Sequence, residues 1–134
     1  LNYRKIYGLC SKEYYSKSIE IFKKRYNFFE NDITVFSESG AEKLIRDLKM
    51  SLEDNYEIHT DDLLQMLIMA NYNFHIISNS SYSWWAALLA NRDHNCEYLC
   101  ICPDPSNIDQ AIYNKNIYYP EWKLIKNALT EKDD

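Results

Sequence analysis

Three polar turns contain the side chains of this sequence that are best suited to binding an anionic ligand. Each turn follows a predicted β-strand and leads into a predicted helix. The turns are rich in hydroxyl and carboxylate groups, and their residues are Ser37, Glu38 and Ser39 in the first, Thr60, Asp61 and Asp62 in the second, and Ser78, Asn79, Ser80 and Ser81 in the third. In an open parallel sheet, ligands bind at the carboxyl ends of the strands. The sequence therefore predicts a ligand site along that edge.

The third turn, residues 78–81, is the one that best suits a phosphate group. The start of a helix presents unpaired N–H groups and the positive end of the helix dipole, and serine hydroxyls add further donors. The chain has only two glycines, Gly8 and Gly40, so neither glycine-rich phosphate loop, G-x-G-x-x-G or G-x-x-x-x-G-K-[ST], can be written in it. The same serines are typical of ordinary helix caps. Taken alone, the residues favour capping and leave phosphate binding as the alternative.

Helices and strands are predicted to alternate along the chain and to bring these turns to one edge. Ser11 is expected to cap a first helix that ends near Tyr26, and further helices are predicted over residues 41–50, 61–70, 82–91 and 120–128. Strands are predicted over residues 33–36, 56–59, 74–77 and 98–102, and Pro103 is expected to stop the last one. Alternation of this kind implies right-handed crossovers and a parallel sheet covered on both faces. We therefore predict a single domain over residues 1–134, an α/β fold with a doubly wound parallel sheet.

Length and charge narrow the class of partner. The 134 residues suit one buried core, and 15 Lys and Arg against 20 Asp and Glu give a net charge of −5. A protein that binds nucleic acid through its phosphates needs the opposite balance, so no nucleic-acid partner is expected. The most apolar stretch, residues 84–90, is too short to span a bilayer, so no transmembrane segment is predicted.

The cysteines raise the alternative of a zinc site. Cys96, Cys100 and Cys102 cluster near His94, whereas Cys10 stands apart. We expect the C-x3-C-x-C spacing on an apolar strand to place its cysteines on alternating sides, and no second C-x2-C pair exists. Buried or idle thiols are therefore the favoured interpretation, with no metal and with a reducing compartment.

One long segment and several shorter ones resemble a known enzyme family. Residues 74–89, FHIISNSSYSWWAALL, resemble the hallmark segment of the α1,2-fucosyltransferases of bacteria and animals, glycosyltransferase family 11, whose usual form is close to H-I-I-A-N-S-S-F-S-W-W-G-A-W-L. Residues 13–15 (EYY) before a helix and residues 33–37 (ITVFS) resemble the family's Tyr-Tyr helix and its strand ending F-S-D-D. Residues 119–122 (YPEW) resemble the Pro-x-Trp near the family's C-terminus, so the resemblance covers most of the chain.

The resemblance implies a Rossmann-like lobe of a two-lobed, GT-B-type glycosyltransferase that binds GDP-fucose. The reaction would be inverting transfer of fucose to a hydroxyl of a glycan acceptor, with no metal and no other cofactor. Ser80 and Ser81 would meet the pyrophosphate. Trp84 and Trp85 are expected to pack their helix against the sheet, with direct contact to the sugar as the alternative. The chain would be most of the donor-binding lobe, with the N-terminal lobe missing, and would transfer nothing alone. A bacterial protein would work in the cytoplasm, free or associated with the membrane, and an animal one in the Golgi.

Departures from the family pattern concern the donor site. The basic motif H-x-R-R-x-D, whose arginine would neutralise the leaving diphosphate, is absent and is expected upstream of Leu1. The two acids of F-S-D-D read Glu38 and Ser39 here, and the family's Asp on the third helix falls on Gln65. In related enzymes that carboxylate accepts hydrogen bonds from guanine. Either Asp61 or Asp62, one helical turn earlier, compensates, or the base is not guanine.

Other interpretations stay open beside this one. A degenerate, non-catalytic nucleotide-sugar-binding domain is the alternative function, because Ser39 and Gln65 stand where functional acids are expected. A flavodoxin-like or a response-regulator domain shares the alternation. The response regulator needs an acidic pocket and a Lys at the end of the last strand, and residues 102–104 (CPD) supply none. His75 lies in the middle of a strand and is expected to be packed, whereas His59 would end a strand on the ligand side.

Overall fold

Four helices and three strands make up the described part of the chain. The computed structural model describes residues 10–28, 32–37, 42–48, 62–90, 97–104 and 117–127. The helices are α1 (Lys12–Tyr26), α2 (Glu42–Asp47), α3 (Asp62–Met69) and α4 (Ser81–Ala90). The strands are β1 (Phe74–Ile76), β2 (Leu99–Asp104) and β3 (Lys123–Lys126). Within these ranges, no helix has the length and apolar character needed to cross a membrane.

The strands form a parallel sheet with the order β1-β2-β3. Ile76 of β1 pairs with Ile101 of β2, and Ile101 pairs with Lys123 of β3. β2 is the central strand and is almost completely buried, because it has a neighbouring strand on each side and a packed layer on each face. The predicted α/β fold with a parallel sheet is confirmed, and it is consistent with a Rossmann-like lobe.

One face of the sheet, which we call the α1 face, is covered by α1. Ser11 caps this helix by accepting a hydrogen bond from the Tyr14 backbone N–H at 3.1 Å, as predicted. The helix ends at Asn27, whose φ of 55° turns the chain away. Tyr14 and Phe22 pack against β2, and Phe22 meets Phe74 of β1 edge to face with ring centroids 5.7 Å apart. Aromatic packing therefore fixes α1 on this face.

The opposite face, which we call the α4 face, is covered by α4 and by residues 117–122. Its core consists of Ile77, Ala87, Cys100, Cys102, Tyr118 and Trp122. Cys100 and Cys102 lie on the same side of β2, because residues two apart in a strand face the same way. The expectation of alternating sides was therefore wrong, whereas the predicted burial of these two thiols is confirmed.

The segment of residues 33–36 does not form the predicted strand. Val35 makes only an isolated bridge. Side chains hold the segment instead, since the Tyr72 hydroxyl donates to Thr34 Oγ1 at 3.0 Å and the Phe36 ring lies 5.9 Å from the Tyr72 ring. Within the described ranges no strand pairs with this segment, and β-branched residues favour a strand only where a partner strand is available to pack against. The strand predicted over residues 56–59 lies outside the described residues.

The predicted closing helix over residues 120–128 is wrong, because this part of the chain forms a turn followed by β3. Pro120 lies in the turn, where its fixed φ is as suitable as it would be at the start of a helix. β3 then pairs with the outer edge of β2, and this pairing satisfies backbone groups that a helix would leave unpaired on β2. Ile125 packs toward the α1 face, whereas Lys123 and Lys126 are exposed.

Pro103 lies within β2 and does not end it, contrary to the prediction. Leu99 donates its N–H to the Asn73 carbonyl, and Ile101 accepts from the Ile77 N–H, so these alternate residues of β2 direct their backbone groups toward β1. Pro103 is the next of these alternate residues, but β1 ends at Ile76 and has no residue paired with Pro103. The missing proline N–H therefore leaves the ladder between β2 and β3 intact.

Candidate functional site

The serine turn, residues 78–81, forms the N-terminal cap of α4. The Ser80 hydroxyl accepts a hydrogen bond from the Tyr82 backbone N–H at 3.2 Å, and the Ser80 carbonyl accepts from the Trp84 N–H at 3.1 Å. Ser83 is buried, and its hydroxyl donates to the Ser80 carbonyl at 3.0 Å. The capping interpretation is therefore confirmed for Ser80.

Capping leaves the outer surface of the serine turn open to solvent. Ser80 and Ser81 are both exposed at the start of a helix of 10 residues. Ser78 Oγ lies 3.3 Å from Ser83 Oγ, which holds the beginning of the turn against the helix. A helix of this kind places about half a positive charge at its N-terminus. An anionic group could therefore bind outside the turn without displacing the cap.

A cavity of about 460 Å³ runs along the edge of β1. This volume falls within the roughly 300–1,000 Å³ of typical ligand sites. Most of its wall is apolar, and the side chains there include Phe22, Val35, Phe36, Phe74 and Ile76. Hydroxyl groups line another part of the wall, from Ser37, Ser78 and Ser83. The structure thus brings the end of the 32–37 segment and the beginning of the serine turn to one cavity.

Residues of α3 meet the first turn of α4 through Tyr82. The Tyr82 hydroxyl donates to the Asp62 backbone carbonyl and lies 3.4 Å from Gln65 Oε1. Asp62 is exposed at the start of α3, and Gln65 is half-buried one turn further along. Asp62, the described residue of the second predicted turn, and the first turn of α4 are therefore neighbours.

The other flank of the serine turn contacts the residues that precede α1. Cys10 Sγ lies 3.6 Å from Asn79 Oδ1 and 3.7 Å from Asn127 Nδ2. Asn127 Oδ1 accepts from the Ser11 backbone N–H at 2.9 Å. Burial raises the pKa of Cys10 to about 11, so its thiol stays protonated at neutral pH and is a poor nucleophile. Asn79 therefore attaches the turn to α1.

Other titratable groups are held in the core. His75 is buried in β1 with Nε2 2.7 Å from the Tyr72 carbonyl, which confirms the prediction of a packed histidine. Burial lowers the pKa of His75 and raises the pKa of Cys102 to about 12. The described ranges contain no group of three or more side chains suited to hold a metal ion. His59, His94 and Cys96 lie outside those ranges.

Trp84 and Trp85 have different roles, although they are adjacent in the sequence. The Trp84 indole N–H donates to the Ile117 carbonyl at 2.8 Å, and its ring centroid lies 6.0 Å from that of Trp122, so Trp84 packs as predicted. Trp85 is 52% exposed, and the prediction that it packs against the sheet is wrong. Consecutive residues of a helix point about 100° apart, so Trp85 projects from a different side of α4 than Trp84.

The predicted site residues fall into separate groups in the structure. Ser37 lines the cavity, Ser80 and Ser81 lie on the exposed surface of the serine turn, and Asn79 faces Cys10. Asp62 and Gln65 lie beside Tyr82. The predicted residues outside the described ranges are Glu38, Ser39, Thr60 and Asp61.

Two residues that contact the flanks of the serine turn or their neighbours were not predicted, namely Tyr82 and Asn127. Tyr82 lies inside the segment that resembles the family motif, where a polar tip on an aromatic residue was a usable signal. Asn127 had no such signal, because its partner Ser11 is 116 residues away in the sequence.

The parallel sheet with a helix packed on each face defines a Rossmann-like α/β domain. A sequence model of the family described as Glycosyl transferase family 11 matches residues 2–126. The chain therefore belongs to this family, as its motifs suggested.

One curated relative is an Escherichia coli protein named alpha-1,2-colitosyltransferase, which is 36% identical to this chain over 114 residues. The match covers 75% of this chain and 34% of that protein, so the chain spans about a third of the length of this relative. No solved structure matches the chain significantly.

Proposed function

We propose that this chain binds the donor for a glycosyltransferase that moves fucose from GDP-fucose to a hydroxyl of a glycan acceptor, without a metal. Membership of glycosyl transferase family 11 and the identity with the colitosyltransferase support a fucosyltransferase-like enzyme. The observation that carries the assignment of the site is the cavity along β1, whose wall includes Ser37 from one polar turn and Ser78 from another.

The diphosphate of the donor is proposed to lie against the exposed surface of the serine turn. The first N–H groups of α4 and the positive end of its dipole favour an anion there. The Ser80 hydroxyl is used for capping, so the Ser81 hydroxyl is the better placed of the two to donate to a phosphate oxygen. The net charge of −5 opposes a diphosphate, and we expect weak binding until a cation from another part of the enzyme contributes.

The base of the donor is proposed to be read at the start of α3. A carboxylate can accept two hydrogen bonds from the edge of guanine, whereas Gln65 offers one acceptor and one donor. Asp62 is exposed three residues before Gln65 and therefore lies on nearly the same face of the helix. We assign the guanine contact to the Asp62 carboxylate, or to Asp61 before it.

Calorimetric titration of the chain with GDP, GDP-fucose and UDP tests this function. We expect GDP to bind more tightly than UDP, and both Ser81→Ala and Asp62→Asn to weaken GDP binding. Ser16→Ala, on the middle of α1, is the matched control and should leave binding unchanged. Tighter binding of UDP would contradict the guanine assignment, and absence of binding by all the nucleotides would contradict the donor site itself.

The transferred sugar is the second part of the test. The name of the Escherichia coli relative makes GDP-colitose the donor to compare with GDP-fucose. The complete enzyme should transfer fucose from GDP-fucose to a glycan in the presence of a chelator. Transfer of colitose alone would keep the family and the site but replace the donor sugar.

A non-catalytic nucleotide-sugar-binding domain is the second candidate, and Gln65 is the residue that favours it. Its carboxamide oxygen lies beside the Tyr82 hydroxyl, where the family's motif has a carboxylate. This candidate predicts binding of the nucleotide sugar with no transfer by the whole protein. A transfer assay on the product of the complete reading frame distinguishes the two.

A further inference from the structure

The ladder between β1 and β2 lacks a donor at its carboxyl end. Leu99 of β2 donates to the Asn73 carbonyl at 3.2 Å, and in a parallel ladder the donors of one strand recur at every second residue. Continuing the register from Ile76 paired with Ile101, the residue at position 103 would donate to the Ile77 carbonyl. That residue is Pro103, which has no N–H.

The hydroxyl of Tyr14 occupies the place of this missing donor. Its oxygen lies 2.6 Å from the Ile77 carbonyl oxygen and 3.2 Å from that of Ile101, and the residue is 0% exposed. A hydroxyl has one proton, and the shorter contact directs it to Ile77, because Ile101 already accepts from the Ile77 N–H at 3.0 Å. Burial raises the pKa of Tyr14, so the hydroxyl remains a donor. The buried Ile77 carbonyl is thereby satisfied.

This hydrogen bond acts on the first peptide unit of the serine turn. The Ile77 carbonyl and the Ser78 N–H belong to one planar peptide, so fixing the direction of the oxygen also fixes the direction of the amide. Tyr14 is itself held in the first turn of α1, where its N–H donates to Ser11 and its carbonyl accepts from the Ser18 hydroxyl at 2.7 Å. The orientation of the serine turn is therefore tied to α1.

We propose that Tyr14 is a positioning residue for the donor site: its hydroxyl replaces the backbone donor that Pro103 removes from β2, and so sets the direction in which the serine turn leaves β1. The inference rests on the proposed function of that turn. A phenylalanine at position 14 would fill the same space but would leave the Ile77 carbonyl buried without a donor.

Tyr14→Phe, Pro103→Ala and the double variant test the proposal through GDP affinity and the urea midpoint of unfolding. Tyr14→Phe should raise the GDP dissociation constant about tenfold and lower the midpoint, as expected for the loss of one buried hydrogen bond. Pro103→Ala in the Tyr14→Phe background should recover most of both losses, because alanine restores an N–H opposite Ile77. Pro120→Ala, in an exposed turn, is the matched control and should recover neither.

Each alternative result has a definite meaning. A midpoint that falls and recovers while GDP affinity never changes would overturn the positioning role and leave Tyr14 purely structural. Failure of Pro103→Ala to recover either quantity would overturn the replacement of one donor by the other. If the wild-type chain binds no nucleotide, the proposed function fails, and the amide NMR signal of Ser78 decides the positioning role. A shift in Tyr14→Phe that Pro103→Ala reverses supports that role, and no shift overturns it.

Discussion

On the α4 face of the sheet, small side chains pack closely with aromatic rings, whereas the α1 face leaves a cavity of about 460 Å³ beside β1. On the α4 face, Ala87, Cys100 and Cys102 are each 0% exposed and pack with Trp122, which is 4% exposed. On the α1 face, Phe22 and Phe74 meet at an interplanar angle of 60° and line the cavity.

The difference between the two faces is the basis for placing the proposed ligand beside β1. The cavity lies where the 32–37 segment approaches β1 without forming a continuous strand against it. The serine turn begins at the end of the same strand, so an apolar wall and a row of hydroxyls meet at one place. The α4 face supports the sheet, and the cavity on the α1 face is the place proposed for the ligand.

The largest expected effect comes from Trp122→Ala, which creates a cavity in the core of the α4 face. Removal of a buried tryptophan costs about 3–5 kcal/mol of unfolding free energy, because the surrounding residues collapse only partly into the space. Urea denaturation measures the loss, and Trp85→Ala is the matched control, since its side chain is 52% exposed. The control should change the free energy by less than about 0.5 kcal/mol. Equal losses for the two variants would contradict the contrast between the buried Trp122 and the exposed Trp85.

Enlarging one side chain on each face of the sheet compares how tightly the α4 face and the α1 face are packed. Cys100→Leu adds volume to a position that is 0% exposed and should lower the unfolding free energy by about 1–3 kcal/mol. Ile76→Phe adds volume beside the cavity and should cost much less, while it weakens GDP binding by occupying the space. Thermal melts and calorimetric titration measure the two effects. A larger loss of stability in Ile76→Phe than in Cys100→Leu would show that the space beside Ile76 cannot hold the added ring.

Removing the cap of α4 tests whether the serine turn owes its shape to Ser80. Ser80→Ala removes the acceptor for the Tyr82 N–H and should cost about 1 kcal/mol of unfolding free energy. Ser81→Ala is the control for stability, since capping does not use its hydroxyl, yet it should weaken GDP binding. If Ser81→Ala destabilises the fold more than Ser80→Ala, the assignment of the cap is wrong.

The smallest expected effect is a pH dependence that arises from His75. Burial lowers the pKa of His75 below its ordinary value of 6.5, so the unfolded chain binds more protons than the folded one once the pH falls below about 6.5. The contribution of His75 to the unfolding free energy is complete above that pH and is lost on acidification. His75→Gln keeps a donor for the Tyr72 carbonyl and should flatten the dependence between pH 7 and 5. An unchanged slope would place the effect on other groups.

Local sequence signals predicted the elements that depend on adjacent residues. Ser11 was predicted to cap α1, and the serine turn was predicted to lie between β1 and α4, because caps and turns are formed by side chains within a few residues of the backbone they satisfy. The closing segment was not predicted correctly. Pro120 and Trp122 suggested a helix, yet the unpaired edge of β2 was a stronger determinant, and Lys123–Lys126 became a strand.

The proposed donor site divides in the same way. Ser37, Ser80 and Ser81 were predicted from their positions after predicted strands, but Tyr14 was not, because its hydroxyl bonds a carbonyl 63 residues away.

The sequence by itself determined the family, the parallel α/β architecture, the cap of α1 and the serine turn at the start of α4. The tertiary structure decided that Pro103 continues β2, that Tyr14 supplies the donor Pro103 lacks, and that a cavity opens beside β1. The physical reason is that capping and turn preferences act over a few residues, whereas the partner of a backbone group in a sheet depends on the register of strands far apart in the chain.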